Sequence, residues 1–313
     1  MFSGFMISLG SILPVVVLIL LGFLFRRGGF VTEAGAEQLN RLSFRVLLPA
    51  MLFRSVITAD FTRDMDLTII LTALGLSLIS FAAALILSRV KCGPSGPARA
   101  SMAQAILRNN CVVFGMALIT SLYGEKATGL FSMLLAFVLP VNNVLAVVLL
   151  SMLTDRSVRP LKVLRSIVTN PFVLAVAAGL ILQALGWKLP SFADQVMNSL
   201  AGAASAIALI GLGAGIRFDT VDKKAWGDIA FGTAARLIIL PAVCVPILLL
   251  MGIRGIPLTA LYVLVATPTA DSTYVMAKEM GADAKLAGHL VVFQTILSPV
   301  TILIGLTLLS GFI

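Results

Sequence analysis

Two short polar runs, Arg108-Asn109-Asn110-Cys111 and Thr267-Pro268-Thr269-Ala270-Asp271-Ser272-Thr273, interrupt long apolar stretches of the chain. Their side chains are amides, hydroxyls, one guanidinium and one carboxylate. Such groups can donate hydrogen bonds to an anion or ligate a small cation, and intramembrane polar groups of this kind mark functional sites. Pro268 has no N–H and frees the carbonyl one turn earlier. Unwound backbone at membrane depth is tolerated only where it is buried in protein or lines a watery cavity. The half-helix N-termini created by a break carry partial positive charge and suit an anion. The plainer alternative is a pair of kinked helices whose Asn and Thr side chains bond neighbouring backbone.

The candidate substrate-binding residues are Asn109, Asn110, Thr267, Pro268, Thr269, Asp271 and Ser272, with Arg108 and Asn142 beside them. Asp271 is an acidic side chain well inside an apolar stretch. It can bind Na⁺, carry a coupling proton or close a structural salt bridge with an arginine. Arg108 and Arg236 also lie within apolar stretches, and a guanidinium can grip a carboxylate with two parallel hydrogen bonds. Arg108 is the stronger candidate of the two, although a long side chain can also snorkel outward. Asn142 and Asn143, next to Pro140, line the same cavity or pack helices. His289 reads as an interfacial residue, and Asn40 and Pro49 mark a kink or a gate.

No P-loop or HExxH motif is present, and no Ser, His and Asp cluster is suggested, so the reading is not that of an enzyme. One histidine and three well-separated cysteines (Cys92, Cys111, Cys244) offer no metal or cofactor spacing. Na⁺ or H⁺ coupling remains open through Asp271.

These residues need a membrane to position them. Of 313 residues, 59% are hydrophobic and 12% charged, and the mean hydropathy is +1.06. Soluble domains carry about 25% charged residues. A spanning helix takes about 20 mostly apolar residues. Ten stretches qualify, at roughly 8–25, 38–57, 67–88, 100–122, 128–151, 167–187, 196–216, 228–250, 257–279 and 286–311. The stretch Met1–Leu13 has no charge, and Arg26 and Arg27 follow the first apolar core, which suits a helix with its N-terminus outside and not a signal peptide. With that start, 14 basic residues fall on the cytoplasmic side and 5 on the other, which supports ten spans with both termini outside. The net charge of +9 therefore belongs to short membrane loops. It does not point to nucleic acid.

The two halves also match. At an offset of 157, Pro14 meets Pro171, Gly22 meets Gly179, Gly29 meets Gly186, Phe61 meets Phe218, Gly75 meets Gly232 and Gly124 meets Gly281. Ala36-Glu37-Gln38 meets Ala193-Asp194-Gln195, Asn110 meets Thr267, and Cys111 meets Pro268. Five spans per half is an odd number, so the halves (residues 1–156 and 157–313) must be inverted. This is a common build of secondary transporters. The expected fold is thus an all-α membrane protein of ten transmembrane helices in two inverted five-helix repeats, broken at helices 4 and 9. Small-residue faces such as Gly211, Gly213 and Gly215 can pack within the protomer or support a homodimer.

Four stretches resemble the auxin efflux carrier family of bacterial and plant membrane transporters. They are Leu13-Pro14 through Leu21-Gly22 to Arg26; Leu39-Asn40 through Leu48-Pro49-Ala50; Asn110 through Gly115; and Ala266-Thr267-Pro268 through Tyr274, Ala277, Gly281, Asp283 and Ala287. The resemblance implies a scaffold of helices 1, 2, 6 and 7, a transport domain of helices 3–5 and 8–10, and a crossing of helices 4 and 9. It also implies an organic-anion substrate such as malonate, malate or auxin. Two departures stand out. Gly115-Met116-Ala117 replaces an expected proline, and Asp271 replaces a neutral polar residue. The expected protein is a secondary carrier of a small organic anion in a bacterial-type inner membrane. The alternatives are a sodium-coupled symporter of the bile-acid type, which shares the architecture, and an anion channel or a sensor that binds without turnover.

Overall fold

The computed structural model describes residues 2–58, 66–154, 169, 171–187, 189–216, 225–270 and 272–313. Among these residues every regular element is a helix. In chain order they are α1 (Phe2–Arg27), α2 (Glu33–Leu42), α3 (Leu48–Thr58), α4 (Leu67–Cys92), α5 (Pro97–Leu107), α6 (Met116–Tyr123), α7 (Glu125–Thr154), α8 (Pro171–Ala184), α9 (Ser191–Gly215), α10 (Trp226–Ala234), α11 (Leu240–Leu250), α12 (Gly255–Ala266), α13 (Ser272–Glu279) and α14 (Ala284–Leu309). Asp271, the Phe61–Phe218 match and the charged loop residues Arg63, Arg156, Arg159, Lys162, Arg165, Lys188, Arg217, Lys223 and Lys224 lie outside the described residues.

Six stretches among the described residues are long and apolar enough to cross a membrane: Leu67–Cys92, Pro97–Tyr123, Ala127–Thr154, Ser191–Gly215, Trp226–Leu250 and Ala284–Leu309. Large apolar side chains such as Leu13, Leu20, Leu71, Leu78, Ile181 and Ile304 stand exposed along the helices. A lipid environment accepts such a surface, and water does not. The expected span at 38–57 starts earlier, because Thr32 caps α2 through its side chain, accepting from the Gly35 N–H at 3.0 Å.

Two joints widen for a visible reason. The five-residue π-turns Ser43–Leu47 and Ala235–Ile239 each lead into a Leu-Pro-Ala sequence, at Pro49 and Pro241. Proline cannot donate to the carbonyl four residues back and collides with it, and a wider turn relieves both problems. A third π-turn, Cys111–Gly115, follows a full break in the helix.

Helices pack closely where glycine removes a side chain. A Cβ on Gly22 of α1 would run into the Ile210 backbone on α9, and one on Gly213 of α9 into the Ile19 carbonyl. The same arrangement recurs with the halves exchanged. Gly179 of α8 sits against the Phe53 carbonyl and Val56 of α3, which are the positions 157 after Gly22 and 157 before Ile210 and Gly213. Gly211 makes room for the Asn40 side chain. These small-residue contacts on α9 therefore lie within the protomer. Turn glycines match too: Gly29 and Gly186 have φ of 76° and 65°, and Gly124 and Gly281 have φ of 66° and 75°. Only glycine enters that region without strain.

Two groups of helices result. One contains α1, α2, α3, α8 and α9, with α1 on α9, α8 on α3, and α9 on α2 and α3. The other contains α4–α7 and α10–α14, with α5 against α4, α7 and α14, and α13 against α14. They meet where α1 packs on α6 and α14, and where α3 and α8 pack on α7.

Candidate functional site

The expected breaks are both present. Helix α5 stops at Leu107 and helix α12 at Ala266, and each is followed by extended backbone at Arg108 and Thr267. The two broken segments touch. The Asn110 N–H donates to the Pro268 carbonyl at 2.8 Å.

A backbone count explains what holds the crossing. In an unbroken helix the Ile106 carbonyl would accept from Asn110 N–H, which instead bonds across to Pro268. The Leu264 carbonyl would accept from residue 268, but a proline stands there. Both carbonyls are taken by side chains. Leu264 O accepts from Asn109 Nδ2 at 2.9 Å and from Arg236 Nη2 at 3.3 Å. Ile106 O accepts from Arg236 Nη1 at 2.9 Å, and Thr267 O accepts from Arg236 Nε at 2.9 Å. Arg236 is fully buried and projects from the π-turn Ala235–Ile239. One guanidinium thus gathers the C-terminal ends of both broken helices, where partial negative charge collects.

The candidate residues divide into those that build the crossing and those that keep free groups. Asn109 is a builder: besides Leu264 it accepts from the Cys111 thiol at 2.9 Å through its Oδ1. Thr269 is another. Its N–H donates to Gln294 Oε1 at 2.9 Å, and its hydroxyl pairs with that of Thr273 at 3.0 Å. Gln294 in turn donates from Nε2 to the Gly232 carbonyl at 3.3 Å, tying α14 and the break to α10.

Asn110 and Thr267 are different. Both are buried, and Asn110 Nδ2 and Thr267 Oγ1 have no hydrogen-bond partner. Asn110 supplies the N–H of the bond to Pro268, and Thr267 precedes its acceptor in the chain. Gln104 in the last turn of α5 and Thr233 in α10 likewise keep buried polar atoms without partners. Sequence reasoning did not single out Gln104, Gln294 or Thr233. For the two glutamines the available signal was a lone amide within an apolar span, which is costly in a membrane.

The remaining candidates sit apart. Arg108 directs Nη1 to the Met276 Sδ on α13. Ser272 opens α13 and is half-buried. Asn142 on α7 is buried with Oδ1 unpartnered, and α7 packs on α5, α6 and α12. His289 is buried in the protein. It lines a separate cavity of about 110 Å³ with Ala225, Asp228, Asp283, Lys285 and Leu286. At its rim Lys91 and Asp228 pair at 3.5 Å.

Comparison with known proteins points to membrane transport. The family model described as membrane transport protein matches residues 7–306. A protein of Methanothermobacter thermautotrophicus named "Uncharacterized transporter" is 25% identical over 302 residues, covering 95% of this chain and 97% of its own. The Escherichia coli K12 "Uncharacterized transporter YfdV" is 27% identical over 247 residues, covering 74% and 76%. A Rhizobium meliloti protein named "Putative malonate transporter" is 24% identical over 306 residues, covering 94% and 93%. With a family match over nearly its whole length and helices built for a bilayer, the chain belongs to the membrane transport protein family, the auxin efflux carriers.

Proposed function

We propose that the protein is a secondary transporter of a small organic anion, a mono- or dicarboxylate, which binds at the crossing of the broken helices and is carried by alternating access. The observation that carries this reading is the pair of buried, unpartnered groups, Asn110 Nδ2 and Thr267 Oγ1, on the two residues at and next to the Asn110–Pro268 bond. A buried donor without a partner costs about 1–3 kcal/mol. A carboxylate oxygen is a partner that would offset that cost. The N-terminal ends of the second arms, at Cys111 and Ser272, add partial positive charge. A relative named for malonate favours a dicarboxylate.

In this reading the fourteen helices form ten spans. They pair α2 with α3, α5 with α6, α10 with α11, and α12 with α13. The spans form two inverted repeats, 1–156 and 157–313. The exchanged glycine contacts, Gly22–Ile210 and Gly179–Phe53, support a two-fold relation between the halves. The group α1, α2, α3, α8 and α9 is the scaffold, and the group bearing the crossing moves against it. Both termini lie outside an inner membrane. No catalytic step is assigned to the chain.

The test is transport by purified protein in liposomes, followed by labelled-malonate counterflow and by current on a solid-supported membrane. Malonate, malate and indole acetate are compared. Saturable counterflow with at least one carboxylate is expected. A conductance that does not saturate and shows no counterflow would place the protein among channels instead.

A further inference from the structure

The three carbonyls at the crossing form an arrangement with a second use. Backbone carbonyls at the C-terminal ends of broken membrane helices are the groups that coordinate Na⁺ in ion-coupled carriers. Here Ile106 O and Leu264 O come from the ends of two different helices, and Thr267 O comes from the break itself. All three converge on one cation, and that cation is covalently part of the chain. Arg236 is fully buried, and among the described residues no carboxylate lies within ion-pair distance of it. A buried charge needs compensation. The only compensating charge described for Arg236 is the partial negative charge of these carbonyls.

We infer that Arg236 is a tethered cation in the carbonyl cage that a coupling Na⁺ would otherwise fill, so the crossing is complete without Na⁺. The inference rests on the reading of the crossing as the substrate site and adds the ion requirement to it. Arg236 is a positioning residue: it touches the helix ends and not the substrate. Its fixed charge keeps the cage closed through the whole cycle, because α5, α12 and the Ala235–Ile239 turn belong to the same group of helices. A free ion would load and leave.

The experiment reads stability, so it does not depend on knowing the substrate. Thermal unfolding of the purified full-length protein in detergent is measured in NaCl and in choline chloride of equal concentration. The wild type is expected to unfold at the same temperature in both. Arg236→Met keeps much of the volume and removes the charge. It is expected to unfold at a lower temperature in choline and to regain part of the loss in NaCl. Arg236→Lys keeps a cation and is expected to unfold below the wild type with no preference for Na⁺. A wild type that is stabilised by Na⁺ over choline overturns the inference. So does an Arg236→Met protein that loses stability equally in both salts. If Arg236→Met does not fold, the Lys variant decides, and a Na⁺-selective gain in that variant overturns the inference. Malonate counterflow that fails in every salt would count against the proposed substrate and leave these unfolding results standing.

Discussion

The Asn110 N–H donates to the Pro268 carbonyl at 2.8 Å, so each broken helix bonds to the other where it stops bonding to itself. This one bond releases the Ile106 carbonyl on one side, and Pro268 releases the Leu264 carbonyl on the other. Arg236 and Asn109 then take up what has been released. The Asn110 Nδ2 is left over, buried and unpartnered.

That surplus predicts a split between stability and transport. Asn110→Ala keeps the backbone bond to Pro268 and removes only an unsatisfied amide. Unfolding temperature is expected to stay level or rise, because deleting an unpaired buried donor relieves its desolvation cost. Transport affinity is expected to fall about ten- to a hundredfold, the equivalent of one charge-assisted hydrogen bond at about 1.5–3 kcal/mol. Thr267→Val, which keeps the shape and loses the hydroxyl, is expected to behave alike. Labelled-malonate uptake beside a thermal melt checks both. A variant that melts early and transports normally would assign these residues to packing.

Pro268 predicts a different outcome. Alanine at 268 restores an N–H that can reclaim the Leu264 carbonyl, in competition with Asn109 and Arg236. Helix α12 would then continue past Ala266, and Thr267 would lose the extended backbone that sets its side chain. Stability is expected to change by about 1 kcal/mol or less, while transport falls roughly tenfold or more from misplacement alone. Melting and counterflow on the same preparation separate the two effects.

How much of this was legible beforehand follows from where each partner lies in the chain. The two breaks could be read because proline and paired polar residues interrupt apolar runs. The carbonyl freed by Pro268 could be read from the missing N–H. Its acceptor role toward Asn109 could not, because Asn109 lies 155 positions away. For the same reason Arg236 looked like a weak substrate contact. Its three bonds depend on the Ala235–Ile239 π-turn, which aims the guanidinium at both helix ends. Asn109 and Asn110 are neighbours of one type, and only the extended backbone of the break sends one to the helices and leaves the other free. The glycine offset was visible in the sequence, whereas the pairing of Gly22 with Ile210 required the packed helices.

The scaffold contacts give a prediction with an internal control. Gly213→Ala and Gly22→Ala each place a Cβ against backbone, at Ile19 and Ile210, and backbone cannot step aside as a flexible side chain would. Each is expected to destabilise by about 1–3 kcal/mol, the usual cost of overpacking. Gly202 lies on the same helix as Gly213, and a Cβ there would meet nothing within 4 Å. Gly202→Ala is therefore expected to be neutral or slightly stabilising. Thermal unfolding of the three variants in one detergent is the comparison.

Gln294 offers the last test, since it serves the break from outside both polar runs. Its Oε1 accepts the buried Thr269 N–H at 2.9 Å, and its Nε2 holds the Gly232 carbonyl at 3.3 Å. Gln294→Leu leaves the Thr269 N–H without an acceptor, at a cost of about 1–3 kcal/mol. Gln294→Glu in its protonated form has an acceptor for Thr269 and a donor for Gly232, and is expected to retain most of the stability at low pH. The Thr269 amide should exchange with solvent deuterium faster in the Leu variant and near the wild-type rate in the Glu variant. Equal exchange in both at the wild-type rate would mean that the break is held without Gln294, by Arg236, Asn109 and the Asn110–Pro268 bond. A fast Thr269 amide with slow amides throughout α5 would show that α14 fixes the second arm of the crossing independently of the first.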